Sequence, residues 1–97
     1  MGPVQEQVAA IWRSVLGAGR VGASTNFFDL GGNSLAAMEV TLALRKHFAV
    51  DLPLPSLFQH PTVETLADLV EATIIAEVEQ MSEEEVARLA GEHSDSP

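Results

Sequence analysis

Ninety-seven residues, 46% of them hydrophobic and 20% charged, allow one small folded domain. The absence of cysteine excludes disulfides, thiolate metal sites and a thiol nucleophile of the chain's own. The formal net charge of −9 argues against nucleic acid and anionic membranes as partners.

That charge is uneven. Six acids against four bases leave residues 1–70 at −2, whereas eight acids against Arg88 leave residues 71–97 at −7. The shift marks a boundary between a near-neutral body and an acidic tail. No apolar run approaches the roughly 18 residues of a membrane span, and no basic stretch followed by an apolar one opens the chain. The expectation is a cytoplasmic protein. Glu6 stands where a myristoylation signal wants Ser or Thr, so Gly2-Pro3 reads as a cloning scar and residues 1–3 are set apart from the domain.

Val4, Val8, Ile11, Trp12, Val15 and Leu16 recur at three- and four-residue spacings, the stripe of an amphipathic helix. Gly17 and Gly19 end it. Trp12 belongs to the core face rather than to a ligand. Residues 17–33 then form a long loop, of a length that is often functional. Phe27, Phe28 and Leu30 are its apolar anchors. The loop leads through Gly31 and Gly32 to Asn33 and Ser34, where helical patterning resumes. Either of the last two could cap that helix. A serine hydroxyl at this point would also hold a bonded anion in the positive end of the helix dipole.

The second helix is expected over Ser34–Phe48, with Ala37, Val40, Thr41, Leu44 and Phe48 facing the core. Leu35, Met38 and Leu42 form a second apolar stripe. Two readings compete: a well-buried helix, or an exposed strip for partner proteins, to which an adaptable Met is suited. Arg45 and Lys46 complement the C-terminal dipole. Asp51-Leu52-Pro53-Leu54-Pro55 is an extended connector. Ser56–His60 allows one short helical turn, in which one of Leu57 and Phe58 packs inward and the other faces partners. Thr62 is placed to cap a further helix with a core stripe of Val63, Leu66, Ala67, Val70 and Ile74.

In the tail, Ser82-Glu83-Glu84-Glu85 matches a capping box, with Met81 and Val86 as its hydrophobic staple. Val86, Leu89 and Ala90 give a short apolar face. The pattern predicts a separate final helix of about two to three turns, marginal alone, before a disordered end from His93.

The string Phe28-Asp29-Leu30-Gly31-Gly32-Asn33-Ser34-Leu35 resembles the attachment motif of thiolation domains, the peptidyl and acyl carrier proteins of nonribosomal peptide and polyketide synthases. The resemblance continues through Leu44-Arg45-Lys46-His47-Phe48, Leu52-Pro53-Leu54, Leu57-Phe58 and His60-Pro61-Thr62-Val63, and covers roughly residues 5 to 72. It implies an all-α fold: a small four-helix bundle of three longer helices and one short one over residues 4–75, followed by the tail helix in residues 76–97. It implies a 4′-phosphopantetheine arm, transferred from coenzyme A to Ser34 by a phosphopantetheinyl transferase, whose thiol carries the cargo as a thioester. Asp29, Gly32, Asn33 and Leu35 are the motif residues around the attachment point, Asp29 either as a recognition element or as a side-chain tie for the loop. Implied partners are adenylation, condensation, ketosynthase or thioesterase domains, meeting Leu35, Met38, Leu42 and Leu57 or Phe58, with the isolated domain a monomer. The tail resembles segments that dock one synthase subunit on the next, through Val78, Met81, Glu83, Glu84, Glu85, Val86 and Leu89.

Asn33 departs from the family, which usually places Asp or His before the serine. The Gly31-Gly32 pair resembles peptidyl carriers more than polyketide ones. No motif places a base to deprotonate Ser34, and His47, His60 and His93 lack metal-ligand spacing. The expected role is a carrier without a catalytic centre. The alternatives are an acyl carrier of a polyketide synthase and a docking module whose serine stays unmodified.

Overall fold

A computed structural model describes the backbone of residues 2–95 and the side chains of residues 2–80. Within them the chain forms four helices: α1 (Pro3–Leu16), α2 (Ser34–Phe48), α3 (Ser56–Gln59) and α4 (Val63–Asp95). The all-α expectation of three longer helices and one short one is met.

Helix α1 starts with Pro3, whose fixed φ suits the first turn and whose missing N–H has no partner to lose there. Gly2 precedes it, and its carbonyl accepts the Glu6 N–H at 2.9 Å. The pair read as a scar therefore forms the helix entrance. Gly17 ends α1 in the left-handed region (φ 67°), its N–H donating to the Arg13 carbonyl at 2.8 Å.

One core joins the elements. Val8, Ala9 and Trp12 of α1 meet Ala37, Val40 and Leu44 of α2 and Val63, Leu66, Ala67 and Val70 of α4. Leu57 of α3 and the loop residues Val21, Phe27, Val50 and Leu52 complete it. Helix α1 lies between α2 and α4, and α3 packs on α2. Thr41 enters this core because its hydroxyl donates to the Ala37 carbonyl one turn back, at 2.8 Å. That bond satisfies a polar group that burial would otherwise penalise. Phe48, expected in the core, is half-buried at its edge.

The loop before α2 is irregular but tied at both ends of its reach. Asn26 and Thr62 form an isolated antiparallel bridge, the Phe27 N–H donates to the Pro61 carbonyl at 2.7 Å, and the Glu64 N–H donates to the Ala23 carbonyl at 2.9 Å. These bonds fasten the loop to the entrance of α4. The entrance is a reciprocal cap: Thr62 Oγ1 accepts the Thr65 N–H and Thr65 Oγ1 accepts the Thr62 N–H, both at 3.3 Å.

Helix α4 departs from expectation. It runs unbroken from Val63 to Asp95, so Ser82-Glu83-Glu84-Glu85 lies inside a helix rather than at the start of a new one. A capping box supplies partners for N–H groups that lack them at a helix entrance. Here no Gly or Pro interrupts residues 63–90, and the i to i−4 ladder provides those partners instead. The molecule extends 61 Å along its longest axis against 26 and 20 Å along the others.

Candidate functional site

The motif around Ser34 is built outward from one ring. Phe27 is fully buried, its ring edge-on to Trp12 with centroids 5.1 Å apart and to Phe28 at 5.4 Å. Its carbonyl accepts the N–H groups of Leu30 and Gly32, each at 3.2 Å. The chain thus turns tightly over Phe27, and the two glycines serve the turn for different reasons. Gly31 has φ 91°, a conformation that L side chains rarely adopt. Gly32 has no such φ, but a Cβ there would overlap the Phe27 ring and lie 2.8 Å from the Phe27 carbonyl oxygen.

Asn26, not Asp29, supplies the side-chain tie. Its Oδ1 accepts the N–H of Phe28 at 2.9 Å and of Asp29 at 3.3 Å. The Asp29 side chain is exposed and holds no loop bond among the described residues. The loop tie, one of the two readings of Asp29, is made by Asn26 instead.

Asn33 caps α2. Its Oδ1 accepts the Ala36 N–H at 2.9 Å. Asn and Asp cap about equally well, so the departure at this position preserves the geometry while removing a charge. Because Asn33 caps, Ser34 does not need to. Ser34 is the first residue of α2, exposed, and its hydroxyl has no hydrogen-bond partner among the described residues. The N–H groups of Ser34 and Leu35 begin the helix without intrahelical acceptors.

Past Ser34, the second stripe of α2 lies on the surface: Leu35 is 66% exposed, Met38 46% and Leu42 49%. The buried-helix reading of these residues is thereby set aside. On α3, Phe58 is 51% exposed and Leu57 fully buried. Leu57 is accordingly removed from the candidate partner surface, since the α3–α2 packing places it in the core. Phe58 stacks on Phe28, centroids 5.4 Å apart and planes 23° apart, which joins α3 to the motif loop. Ser34, Met38, Leu54, Pro55 and Phe58 line one open depression of about 350 Å³. Sequence reasoning missed Leu54 and Pro55 as its walls; both sit in a connector whose fold-back onto α2 leaves no periodic signal. Val78, a tail candidate, is exposed on α4 together with Ile75. The side chains of Met81, Glu83, Glu84, Glu85, Val86 and Leu89 lie outside the described residues.

Comparison with known proteins agrees with this geometry. Residues 6–70 match the family described as "Phosphopantetheine attachment site". The chain belongs to that family. It is 50% identical over 68 residues to tyrocidine synthase 3 of Brevibacillus parabrevis, a match covering 70% of this chain but 1% of that synthase. Among solved structures, it resembles the complex of the phosphopantetheine transferase Sfp with coenzyme A and a peptidyl carrier protein: TM-score 0.71, 39% identity, 74% of this chain and 94% of the matched one. A docking domain complex of the Pax synthetase, PaxA T1-CDD with PaxB NDD, matches with TM-score 0.78 and 30% identity over 91% of this chain and 85% of the other. The family member described here is a carrier domain of the peptidyl type, a substrate carrier and not a catalyst. No helix among the described residues is long and apolar enough to cross a membrane.

Proposed function

We propose that Ser34 is the attachment residue, and that the domain carries aminoacyl or peptidyl groups as thioesters between the enzymes of a cytoplasmic nonribosomal peptide synthetase. The observation that carries this reading is the exposed Ser34 hydroxyl, unbonded among the described residues, on a helix whose cap is already supplied by Asn33. Attack of Ser34 Oγ on the diphosphate of coenzyme A forms a phosphodiester and releases adenosine 3′,5′-bisphosphate. The serine proton goes to a base of the transferase, since the described residues of this chain place none in hydrogen-bond contact with Ser34. The residues fit the product. A monoanionic phosphodiester at the α2 N-terminus is favoured by the dipole, by about 0.3–1 kcal/mol. Once attached, the arm supplies the thiol that a cysteine-free chain lacks.

Intact mass after incubation with coenzyme A and a promiscuous transferase tests this. One phosphopantetheine should be gained, and none by Ser34→Ala, whose circular dichroism should stay native because the residue is exposed and does not cap the helix. Folded wild-type protein that gains nothing would favour the unmodified docking module. Leu35, Met38, Leu42 and Phe58 form the surface met by the transferase and by adenylation, condensation or thioesterase domains. In the same assay Met38→Glu should fold normally and load more slowly; unchanged loading would remove Met38 from that surface.

The distal part of α4 we assign to docking on the next subunit. Its support is the exposed pair Ile75 and Val78, the acidic composition of residues 71–97 and the likeness to the Pax docking complex. An acidic amphipathic helix fits a basic, grooved partner. Removing residues 78–97 should leave loading unchanged and abolish affinity for the downstream subunit, measured by titration calorimetry. Unchanged affinity would end the docking assignment.

A further inference from the structure

Glu77 puts a carboxylate where the pattern of α4 calls for an apolar side chain. The core stripe of the helix runs through Val63, Leu66, Ala67 and Val70, and Ile74 packs on its edge. Glu77 follows at the next three-residue step and is half-buried, whereas Ile75 and Val78 are exposed. Its Oε1 accepts the Asp51 N–H at 3.1 Å, across 26 residues of chain. Its Oε2 is buried with no partner among the described residues. Burial of that oxygen is a cost, which the bond to Asp51 offsets. Among the described residues, this is the one side-chain hydrogen bond from α4 to a segment other than its own entrance.

The donor is fixed in turn. Val50 and Leu52, on either side of Asp51, are buried. Asp51 Oδ1 accepts from Arg45 Nη2 at 3.0 Å, and the Arg45 carbonyl accepts the Val50 N–H at 3.2 Å. The guanidinium also offsets the repulsion between two carboxylates brought to one turn. Arg45 lies in the last turn of α2, the helix that begins with Ser34. Helix α1 lies between α2 and α4, so these bonds tie α4 to α2 by a route that bypasses α1.

We propose that Glu77 is a positioning residue: its bond to Asp51 sets the direction in which the distal part of α4 leaves the body, and refers that direction to the helix that carries Ser34. The inference deepens the docking assignment of the tail. From Glu77 to Asp95 the helix runs on for about 27 Å. A swing of about 10° at Glu77 would therefore move its end by on the order of 5 Å. A docked tail presents Ser34 to the next subunit at a defined place only while this bond is made.

The absence of cysteine allows the test on the full chain. Spin labels on Glu39→Cys and Glu92→Cys report the distance from α2 to the distal helix by pulsed electron resonance. That distance should be narrowly distributed with Glu77 in place, and should broaden or shift by on the order of 5 Å in Glu77→Ala. Glu77→Gln keeps an Oε1 acceptor and should retain the narrow distribution, as should Glu79→Ala. Circular dichroism should stay native in all three. In unlabelled Glu77→Ala, hydrogen exchange at the Asp51 amide should be roughly 2- to 10-fold faster. An unchanged distribution in Glu77→Ala would overturn the proposal whatever the exchange rate. So would a distribution already as broad before the substitution, or Glu77→Gln behaving as Glu77→Ala, which would assign the effect to charge. Removal of residues 78–97 leaves Glu77 and Asp51 in place. Unchanged subunit affinity after that removal would end the docking assignment while leaving the role of Glu77 in directing the helix intact.

Discussion

Phe27→Ala is expected to leave the domain largely unfolded at 25 °C. Truncating a buried phenylalanine costs about 3–5 kcal/mol. At Phe27 the loss includes edge contacts to Trp12 and to Phe28, each worth about 0.5–1.5 kcal/mol beyond area. Domains of this size hold only about 5–15 kcal/mol in all, and small ones sit low in that range. A variant that remains folded should lose more than about 12 °C in melting temperature. Urea unfolding followed by circular dichroism measures either outcome. A loss below about 1 kcal/mol would mean that the Ser34 loop is not organised over this ring.

Gly32→Ala is the second large effect, and its cause is crowding rather than a void. The added methyl would overlap the Phe27 ring and crowd the Phe27 carbonyl. Neither can retreat easily. The ring is held between Trp12 and Phe28, and the carbonyl accepts two loop N–H groups, one of them from Gly32 itself. Overpacking of this kind costs typically about 1–3 kcal/mol, and a fixed neighbour puts it at the upper end. Gly31→Ala provides the contrast. It meets nothing within 4 Å but forces alanine to φ 91°, a conformational cost of about 1–2 kcal/mol. Denaturant midpoints of the two variants should therefore rank Gly32→Ala as the less stable. It should also load more slowly, because the clash is relieved by moving the segment that positions Ser34. Equal stability of Gly32→Ala and wild type would contradict the close approach.

Much of the α2 region was legible in advance because helical period is a strong signal. The bounds Ser34–Phe48 and the burial of Ala37, Val40, Thr41 and Leu44 follow from spacing alone. So does the separateness of the Leu35, Met38 and Leu42 stripe, though not its exposure, which depends on how many neighbours a small bundle can supply. Leu57 and Phe58 show where period fails: α3 has four residues, too few for a stripe to declare its direction. The capping box at Ser82 misled for a related reason. It is a local pattern, and whether a helix starts there depends on what already precedes it. A loop tie was one of two readings of Asp29 because it sits in the motif, whereas Asn26, three residues earlier, reaches the same backbone. The depression beside Ser34 needed the connector folded against α2, a juxtaposition that no local pattern records.

The unbroken α4 has a consequence for how carrier and tail can be exchanged between synthetases. A helix advances about 1.5 Å and turns about 100° with each residue. Because α4 runs unbroken from Val63 to Asp95, the azimuth at which its far end would meet a docking partner is indexed by residue count. A graft that kept every distal residue but added one at the junction would aim the same face about a quarter-turn away. Chimeric assembly lines built on this rod must therefore conserve phase as well as sequence.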